Sequence, residues 1–189
     1  KLETVLGPHA NDGSKEGFPF IVEECIDGAV EIGFDGFVNK TGYSSHCFLG
    51  IEYHKGPYFA KVFPTDELPI AIQETMDSFL PLLEKFDYRG AISTEELIVS
   101  KDENYFLDIC SRLPAPLSAL YPEFIKNWAD TIYKIGKNED FEIDIPYKFV
   151  AAMPFNSEET RENYMKINIK DHSKVKLQMG CGDAEGDYY

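Results

Sequence analysis

Residues 90–112 read GAISTEELIVSKDENYFLDICSR, and this stretch decides how we expect the chain to fold. Its segments Ala91–Val99 and Tyr105–Cys110 are rich in β-branched and aromatic residues, which favour strands. The link between them, Ser100–Asn104, consists mostly of residues that are common in turns. The sequence therefore predicts a β-hairpin.

Upstream of the hairpin, the pattern predicts more strands and then a helix. Short apolar or alternating segments indicate strands over Phe18–Ile26, residues 30–35, Ser44–Tyr53 and Tyr58–Phe63. Apolar residues then recur at steps of three and four, which predicts a helix from Asp66 to Lys85. Segregated strands and helices are typical of an α+β fold with a mainly antiparallel sheet.

Downstream of the hairpin, a second helix is predicted over Leu117–Ile135, so that two helices pack on the sheet. An acidic linker over Asn138–Asp144 and a strand over Tyr147–Met153 follow. A short strand pair, Met165–Ile169 with Lys174–Met179, is predicted in the tail. We accordingly expect a main part over residues 1–145 and an appendage over residues 146–189, which resembles the start of a small β domain.

Composition narrows the classes of partner. The chain has 189 residues, of which 43% are apolar, and a formal charge of −15. This charge repels phosphate backbones and anionic lipid, so we expect neither a nucleic acid nor a membrane as partner. No apolar run reaches the roughly 18–20 residues of a membrane helix. The first residues also lack the pattern of a signal peptide.

The cysteines and histidines give no sign of a disulfide framework or a zinc site. Cys25, Cys47, Cys110 and Cys181 form no C-x-x-C pair and lie in different segments. The histidines show no H-x-H or H-x-x-x-H spacing. Reduced thiols, and hence a cytoplasmic protein, are the resulting prediction.

Acidic side chains of the hairpin are the candidate metal ligands. Asp108 and Cys110 share one face of the second strand, because side chains two residues apart point the same way. We expect folding of the hairpin to bring Glu96 opposite Asp108. Paired carboxylates suit Mg²⁺, which binds one or two of them together with substrate phosphates. Arg112 follows and suits a phosphate or carboxylate. The alternative is that these residues form an ordinary solvated strand face.

The same residues resemble the C-terminal core of ATP-grasp enzymes. In that family a "gY-x-G" turn after a helix leads to an acidic strand and then to "yflE-x-N-x-R". Here the corresponding segments are Phe86–Ala91 (FDYRGA), Glu96–Val99 (ELIV) and Tyr105–Arg112 (YFLDICSR). The resemblance covers roughly residues 18–122 and implies an ATP-grasp C-terminal subdomain.

The resemblance also implies roles for these residues. Glu96, Asp108 and Cys110 occupy the positions that hold Mg²⁺ (or Mn²⁺) on the ATP phosphates. Arg112 takes the place of an arginine that contacts phosphate or the acyl substrate. Cys110 departs from the family, because it replaces an asparagine and a thiol is a poor partner for Mg²⁺.

A second segment, Ile21–Gly28 (IVEECIDG) followed by Glu31, is similar to the hinge of the same family. In relatives this segment meets adenine with its backbone, and a glutamate binds the ribose hydroxyls. The resemblance thus assigns nucleotide contacts to five residues: Glu23, Glu24, Cys25, Ile26 and Glu31. The alternative is an ordinary strand and turn. Lys61 takes the place of a phosphate-facing lysine in several relatives, although a lone strand lysine is more often a surface charge.

The resemblance implies a part of an ATP-dependent carboxylate–amine ligase that works through an acyl phosphate. Its substrates are ATP, a small carboxylate and an amine, and the phosphoribosylamine–glycine ligase branch of purine biosynthesis is the favoured relative. We expect the N-terminal part of the family fold, with its lysine strand and glycine-rich loop, to be missing, and the isolated chain to be inactive. The alternative is a non-catalytic interaction or regulatory domain that retains the fold. A Ca²⁺-binding or acid-rich module is a weaker possibility, because the aspartates lack the D-x-D-x-D-G spacing.

Overall fold

A computed structural model describes residues 24–53, 57–100, 103–115, 117–153, 168–171, 173 and 175. Within these residues the chain forms seven strands and three α-helices. The strands are β1 (Val30–Asn39), β2 (Gly42–Tyr43), β3 (His46–Glu52), β4 (Tyr58–Pro64), β5 (Gly90–Ser100), β6 (Glu103–Cys110) and β7 (Phe149–Ala152). The helices are α1 (Ile70–Lys85), α2 (Tyr121–Phe124) and α3 (Trp128–Gly136).

All seven strands belong to one antiparallel sheet in the order β6-β5-β1-β3-β4-β7, and β2 pairs with β1. The α+β class and the mainly antiparallel sheet predicted from the sequence are therefore confirmed. β7 pairs with β4, so residues 149–152, just after the predicted boundary at residue 145, are part of the same sheet. The predicted tail strands and residues 18–23 of the first predicted strand lie mostly or wholly outside the described residues.

One face of the sheet, which we call the α1 face, packs against the long helix. Apolar residues of α1 at helical spacing are buried against the sheet: Ile72, Met76 and Leu83. Their partners on the strands point to the same side: Phe34, Val38, Cys47 and Ile92. Pro81 lies inside the helix, which continues to Lys85. The helix ends where Asp87 adopts a left-handed conformation (φ 48°) and the backbone N–H of Tyr88 donates to the carbonyl of Leu83 at 2.9 Å.

The other face, which we call the cavity face, packs against the shorter helices. Its core contains Phe37, Phe48 and Tyr58 from the strands. The covering residues include Leu117, Tyr121, Ile125, Phe141 and Ile143. Tyr121 stacks on Phe48, with ring centroids 5.4 Å apart. Helix α1 thus lies on one face of the sheet and the shorter helices α2 and α3 lie on the other, and each face buries an apolar cluster.

The predicted helix over Leu117–Ile135 is wrong as one continuous element. A 3₁₀ turn over Leu117–Leu120 and the four residues of α2 come first, and Ile125 is then extended. The break is fixed by the segment that was predicted to be a linker. Asn127 donates from Nδ2 to the carbonyl of Glu142 at 2.7 Å, and its Oδ1 accepts from the backbone N–H of Asp144 at 2.9 Å. Side-chain bonds of this kind compete with helix continuation.

Candidate functional site

Glu96 is not opposite Asp108, so that prediction is wrong. In the β5–β6 register, Asp108 faces Glu95, while Glu96 faces Phe106. A β-bulge between these two pairs leaves Leu107 as the extra residue of β6. Residues directly opposite in an antiparallel pair point to the same face. Asp108 therefore shares a face with Glu95, and Glu96 points to the other face.

Glu96 lies in the core on the α1 face, with only 1% of its surface exposed. Its Oε2 accepts hydrogen bonds from Asn104 Nδ2 and from Thr75 Oγ1, the latter at 3.3 Å. Its Oε1 accepts from Thr94 Oγ1 at 3.4 Å. Burial raises the pKa of the Glu96 carboxyl, and these three hydrogen bonds partly oppose the rise. Glu96 is a buried hydrogen-bonded acid, and it is separated from the other two predicted metal ligands.

Asp108 and Cys110 lie together on the cavity face, as the alternation predicts. The Cys110 Sγ is 3.8 Å from Asp108 Oδ2, and Cys110 faces Ser93 in the register. Asp108 is exposed and its Oδ1 accepts from the backbone N–H of Ile109 at 2.8 Å. The residue that sequence reasoning missed is Glu95, which stands opposite Asp108. Uninterrupted alternation on both strands predicts Glu96 and Asp108 on one face, and the bulge at Leu107 reverses this for the β6 residues that follow it.

Strand pairing arranges polar residues of the cavity face in three parallel rows across β6, β5 and β1. The rows are Tyr105–Leu97–Glu31, Asp108–Glu95–Gly33 and Cys110–Ser93–Asp35. Each of the three strands therefore carries at least one carboxylate residue on this face: Glu31 and Asp35 on β1, Glu95 on β5 and Asp108 on β6. These residues lie in the same row or in rows at most two apart. Carboxylate oxygens are hard ligands that suit Mg²⁺, whereas the Cys110 thiol is soft and does not.

A cavity of about 30 Å³ lies beside these rows. It is lined by Glu31, Asp35, Ser93 and Glu95 together with Tyr58 and residues of the segment after β6, such as Pro114 and Leu117. This volume holds one or two water molecules, so a larger ligand has to lie over the exposed rows beside it. Glu31, predicted as a ribose-binding residue, thus lies in the same lining as Glu95.

The floor of the cavity depends on a tyrosine that lies across two glycines. Tyr58 donates from its hydroxyl to Asp35 Oδ2 at 2.6 Å, and each of these residues is only 4% exposed. A Cβ on Gly50 would be 2.5 Å from Tyr58 Cζ, and one on Gly33 would be 3.7 Å from Tyr58 Cε2. The absence of a side chain at Gly50 therefore lets the ring cross β3 and reach the buried carboxylate on β1, whereas a Cβ at Gly33 would make only ordinary contact with the ring.

The predicted nucleotide segment lies next to β6. Glu24, Cys25 and Ile26 precede a turn at Asp27–Gly28, and Glu24 and Cys25 are exposed. The charge of Glu24 is one of the lesser causes that raise the pKa of Tyr105, after the hydrogen bond to Glu103. Tyr105 belongs to the row of Glu31, so the charge of Glu24 acts on a residue of this row. Glu23 lies outside the described residues.

The two basic candidates are not brought to the acidic rows. Lys61 lies on the α1 face, since it pairs with Leu49, and its Nζ is 3.9 Å from the centroid of the Phe63 ring. It is an odd number of residues from Tyr58, which points to the cavity face, so alternation sends Lys61 to the other side. Arg112 is exposed after β6, and its guanidinium donates to the carbonyl of Leu113 at 3.1 Å.

Within the part of the chain that the structure describes, no group of three or more His, Cys, Asp or Glu side chains is arranged to hold a metal ion by itself. No helix of that part is both long enough and apolar enough to cross a membrane. No protein-family model matches this sequence, and no curated protein matches it either. The fold and the site define an α+β protein with an acidic sheet face.

Proposed function

We propose that this chain is the nucleotide- and Mg²⁺-binding part of an ATP-dependent carboxylate–amine ligase of the ATP-grasp type, acting in the cytoplasm. The observation that carries the proposal is the cross-strand pair Glu95–Asp108 on the cavity face. Glu31 supports it, because this predicted ribose contact lines the same cavity as Glu95. Glu95 replaces Glu96 as the first metal ligand.

Two protein carboxylates are sufficient for the ion in this proposal. Mg²⁺ is commonly held by one or two carboxylates plus substrate phosphates and water, and it keeps octahedral geometry. Glu95 and Asp108 supply the carboxylates, and Cβ atoms directly opposite in an antiparallel pair are about 4.5–5.5 Å apart. When bound, Mg²⁺ would neutralise charge on the ATP phosphates. The side chains of Glu95 and Asp108 would hold it, whereas Arg112 would have to leave its bond to the Leu113 carbonyl to contact an anionic group.

The proposed reaction is the one that the resemblance to ATP-grasp enzymes implies. ATP transfers its γ-phosphoryl group to a carboxylate, which gives an acyl phosphate and ADP. The amine then attacks the acyl carbon, a C–N bond forms, and inorganic phosphate leaves. Catalysis of phosphoryl transfer is mostly positioning and electrostatic stabilisation, so loss of one carboxylate should reduce the rate without unfolding the protein.

Manganese binding to the purified chain tests the cation site. We expect electron paramagnetic resonance titration to show one Mn²⁺ site, weakened about tenfold or more by Glu95→Gln or Asp108→Asn. The matched control is Asp66→Asn, which removes an exposed aspartate from the 3₁₀ turn after β4. A Glu95→Gln/Asp108→Asn double variant that binds Mn²⁺ as tightly as the unchanged chain would refute the proposed site.

Nucleotide binding and turnover test the rest of the proposal. We expect calorimetry with Mg-ATP to show weak binding by this chain alone, because the contacts that remain must offset the ordering and association costs. In a longer protein that carries the family's glycine-rich loop, Asp108→Asn should abolish ADP release. Undiminished ADP release by that variant would remove Asp108 from the mechanism.

A second candidate is a non-catalytic domain that retains the fold, and Cys110 is the observation that favours it. The thiol stands where the family carries an asparagine ligand, 3.8 Å from the Asp108 carboxylate. Restoring the ligand by Cys110→Asn separates the two candidates. A ligase should gain Mn²⁺ affinity or rate from this change, whereas a non-catalytic domain has no turnover to gain.

A further inference from the structure

The cavity on the sheet lies over Gly33, because this residue of β1 has no side chain. Alternation places Glu31 and Asp35 on either side of Gly33 on the same face, and Glu95 lies directly opposite it on β5. A Cβ at Gly33 would extend to this face and meet its nearest neighbour, the Tyr58 ring, at 3.7 Å. The missing side chain thus leaves a space of about 30 Å³ among three carboxylate residues.

The base of this cavity contains a buried hydroxyl that lacks a hydrogen-bond partner. Ser93 is directly opposite Asp35, lines the cavity and is only 8% exposed. Its side chain makes no hydrogen bond to any residue that the structure describes. Buried hydroxyl groups are normally hydrogen-bonded. A hydroxyl can accept, and the ionised carboxylates beside it only accept, so the cavity suits a ligand that donates hydrogen bonds.

Charge and size narrow the ligand to a small cation. The described residues that line the cavity include Glu31, Asp35 and Glu95 and no lysine, arginine or histidine, in a chain with a formal charge of −15. The volume is that of one or two water molecules, and a protonated amino group is about as large as one of them. Pro114 and Leu117 add an apolar wall, against which a short alkyl group can pack.

The spacing of the acidic residues favours an ammonium group over a metal ion held by protein alone. Among the described residues, no three His, Cys, Asp or Glu side chains are arranged to hold a metal ion. Metal–oxygen bonds to Mg²⁺ or Ca²⁺ are about 2.0–2.6 Å long. An N–H donor reaches its acceptor oxygen at about 2.7–3.2 Å. Oxygens that stand too far apart for a common metal ion can therefore still surround an ammonium group.

We propose that the cavity over Gly33 binds a primary ammonium group, with Asp35, Ser93 and Glu95 as its hydrogen-bond acceptors. Glu95 also stands opposite Asp108 in the proposed metal site, so the amino group lies beside the phosphates that the metal would hold. This position makes it the amino group of the amine substrate. That last assignment rests on the proposed function, whereas the binding of an ammonium group does not.

Titration with methylammonium chloride, followed by the amide chemical shifts of the isotope-labelled chain, tests the binding. We expect saturable shifts in β1 and β5 with methylammonium and with ammonium. Tetramethylammonium is larger and has no N–H donor, so it should cause none. Potassium has the same charge and donates no hydrogen bond. Equal affinity for potassium and methylammonium would overturn the assignment to an amino group, and the absence of saturable shifts with methylammonium would overturn the site.

Two variants change the cavity without changing its charges. Gly33→Ala places a methyl group in it and should weaken methylammonium binding about tenfold or more. Ser93→Ala removes one acceptor and should weaken binding about three- to tenfold. The matched control is Gly136→Ala at the end of α3, where a Cβ would meet nothing within 4 Å. Equal affinity in the unchanged chain, Gly33→Ala and Ser93→Ala would overturn the proposal.

Mn²⁺ separates the ammonium cavity from the proposed function. Mn²⁺ bound at Glu95 and Asp108 is paramagnetic and should broaden the methyl proton signal of methylammonium in the cavity. Gly33→Ala should still bind Mn²⁺ and lose most of this broadening. If methylammonium binds but the chain takes up no Mn²⁺, the metal site and the role as amine substrate are refuted, and the ammonium cavity stands. Binding of both without broadening would refute the role as amine substrate alone.

Discussion

Replacing Gly50 with alanine tests the packing of Tyr58 on the cavity face. The new Cβ would lie 2.5 Å from Tyr58 Cζ, 2.6 Å from its hydroxyl oxygen and 2.7 Å from the carbonyl oxygen of Phe59. Real Cβ atoms essentially never approach other heavy atoms within 3.0 Å. The ring is buried and the Phe59 oxygen is backbone, so the clash cannot be relieved by rotating an exposed side chain.

The expected loss of stability can be assembled from three contributions. Overpacking costs about 1–3 kcal/mol. Displacing Tyr58 breaks its 2.6 Å hydrogen bond to the buried Asp35 carboxylate, and hydrogen bonds to charged groups contribute about 1.5–3 kcal/mol. Alanine offsets about 0.5–1 kcal/mol of this, because glycine loses more conformational freedom in a strand. We therefore expect Gly50→Ala to lower the free energy of unfolding by about 2–5 kcal/mol.

Gly33→Ala is the matched control, because Gly33 lies under the same ring on the neighbouring strand. Its Cβ would meet Tyr58 Cε2 at 3.7 Å and the carbonyl oxygen of Thr94 at 3.8 Å, which is ordinary van der Waals contact. This variant should be neutral or more stable by up to about 1 kcal/mol. Urea denaturation followed by circular dichroism gives the free energy of unfolding for both variants.

Tyr58→Phe separates the hydrogen bond from the clash. If Gly50→Ala acts partly by moving the Tyr58 hydroxyl away from Asp35, its cost should be smaller in a Tyr58→Phe chain, so the two changes should not be additive. The reasoning would be refuted by a Gly50→Ala chain that unfolds at the same urea concentration as Gly33→Ala.

Three further predictions concern buried groups. Tyr121 is fully buried, and its hydroxyl has no hydrogen-bond partner among the described residues. Tyr121→Phe should therefore raise the free energy of unfolding, measured by urea denaturation, by about 1 kcal/mol. A lower free energy of unfolding in this variant would contradict the prediction. Burial raises the pKa of the Glu96 carboxyl, so the folded state holds the proton more tightly than the unfolded state does. The free energy of unfolding should therefore fall as pH rises from the unfolded pKa to the folded pKa. Urea denaturation at several pH values should show a smaller fall for Glu96→Gln, and parallel pH profiles of the two chains would contradict this prediction. Burial raises the pKa of the Cys47 thiol to about 12. Iodoacetamide at pH 8 should therefore label the exposed Cys25 in the native protein, whereas Cys47 should react only in urea. Labelling of Cys47 in the native protein, detected by peptide mass spectrometry, would contradict its burial in the core.

Every described strand except β2 was predictable, because each of them carries its own local signal. The alternating residues of β1 and the two segments of the hairpin needed no knowledge of distant contacts. The structure contains the hairpin strands with shifts of one or two residues at the ends, whereas β1 continues past the predicted end at residue 35 to Asn39. The break after α2 was not predictable in this way. It depends on Asn127, whose partners are Glu142 and Asp144, and a pattern of apolar spacing does not report such bonds.

Only part of the candidate site was predictable, because alternation along a strand is a local signal and a bulge interrupts it. Alternation correctly placed Asp108 and Cys110 on one face, because they lie on the same side of the bulge. It failed for Glu96, which is separated from them by the bulge at Leu107. No glycine marks that position, and whether Glu95 or Glu96 shares a face with Asp108 depends on the bulge, which sequence spacing does not identify.

The central position of β1 has a consequence for how the chain is made. β1 pairs with β3 on one side, which follows within a few residues, and with β5 on the other, which is complete only at Ser100. Roughly 60 residues separate the ends of β1 and β5. At ribosomal rates of about 5–20 residues per second, the edge of β1 that pairs with β5 therefore stays unpaired for about 3–12 seconds during synthesis. An open edge can pair with another chain, and charged side chains on the strand discourage this. Glu31 and Asp35 stand on β1, so the acids that face the cavity in the finished fold also protect the nascent strand from aggregation.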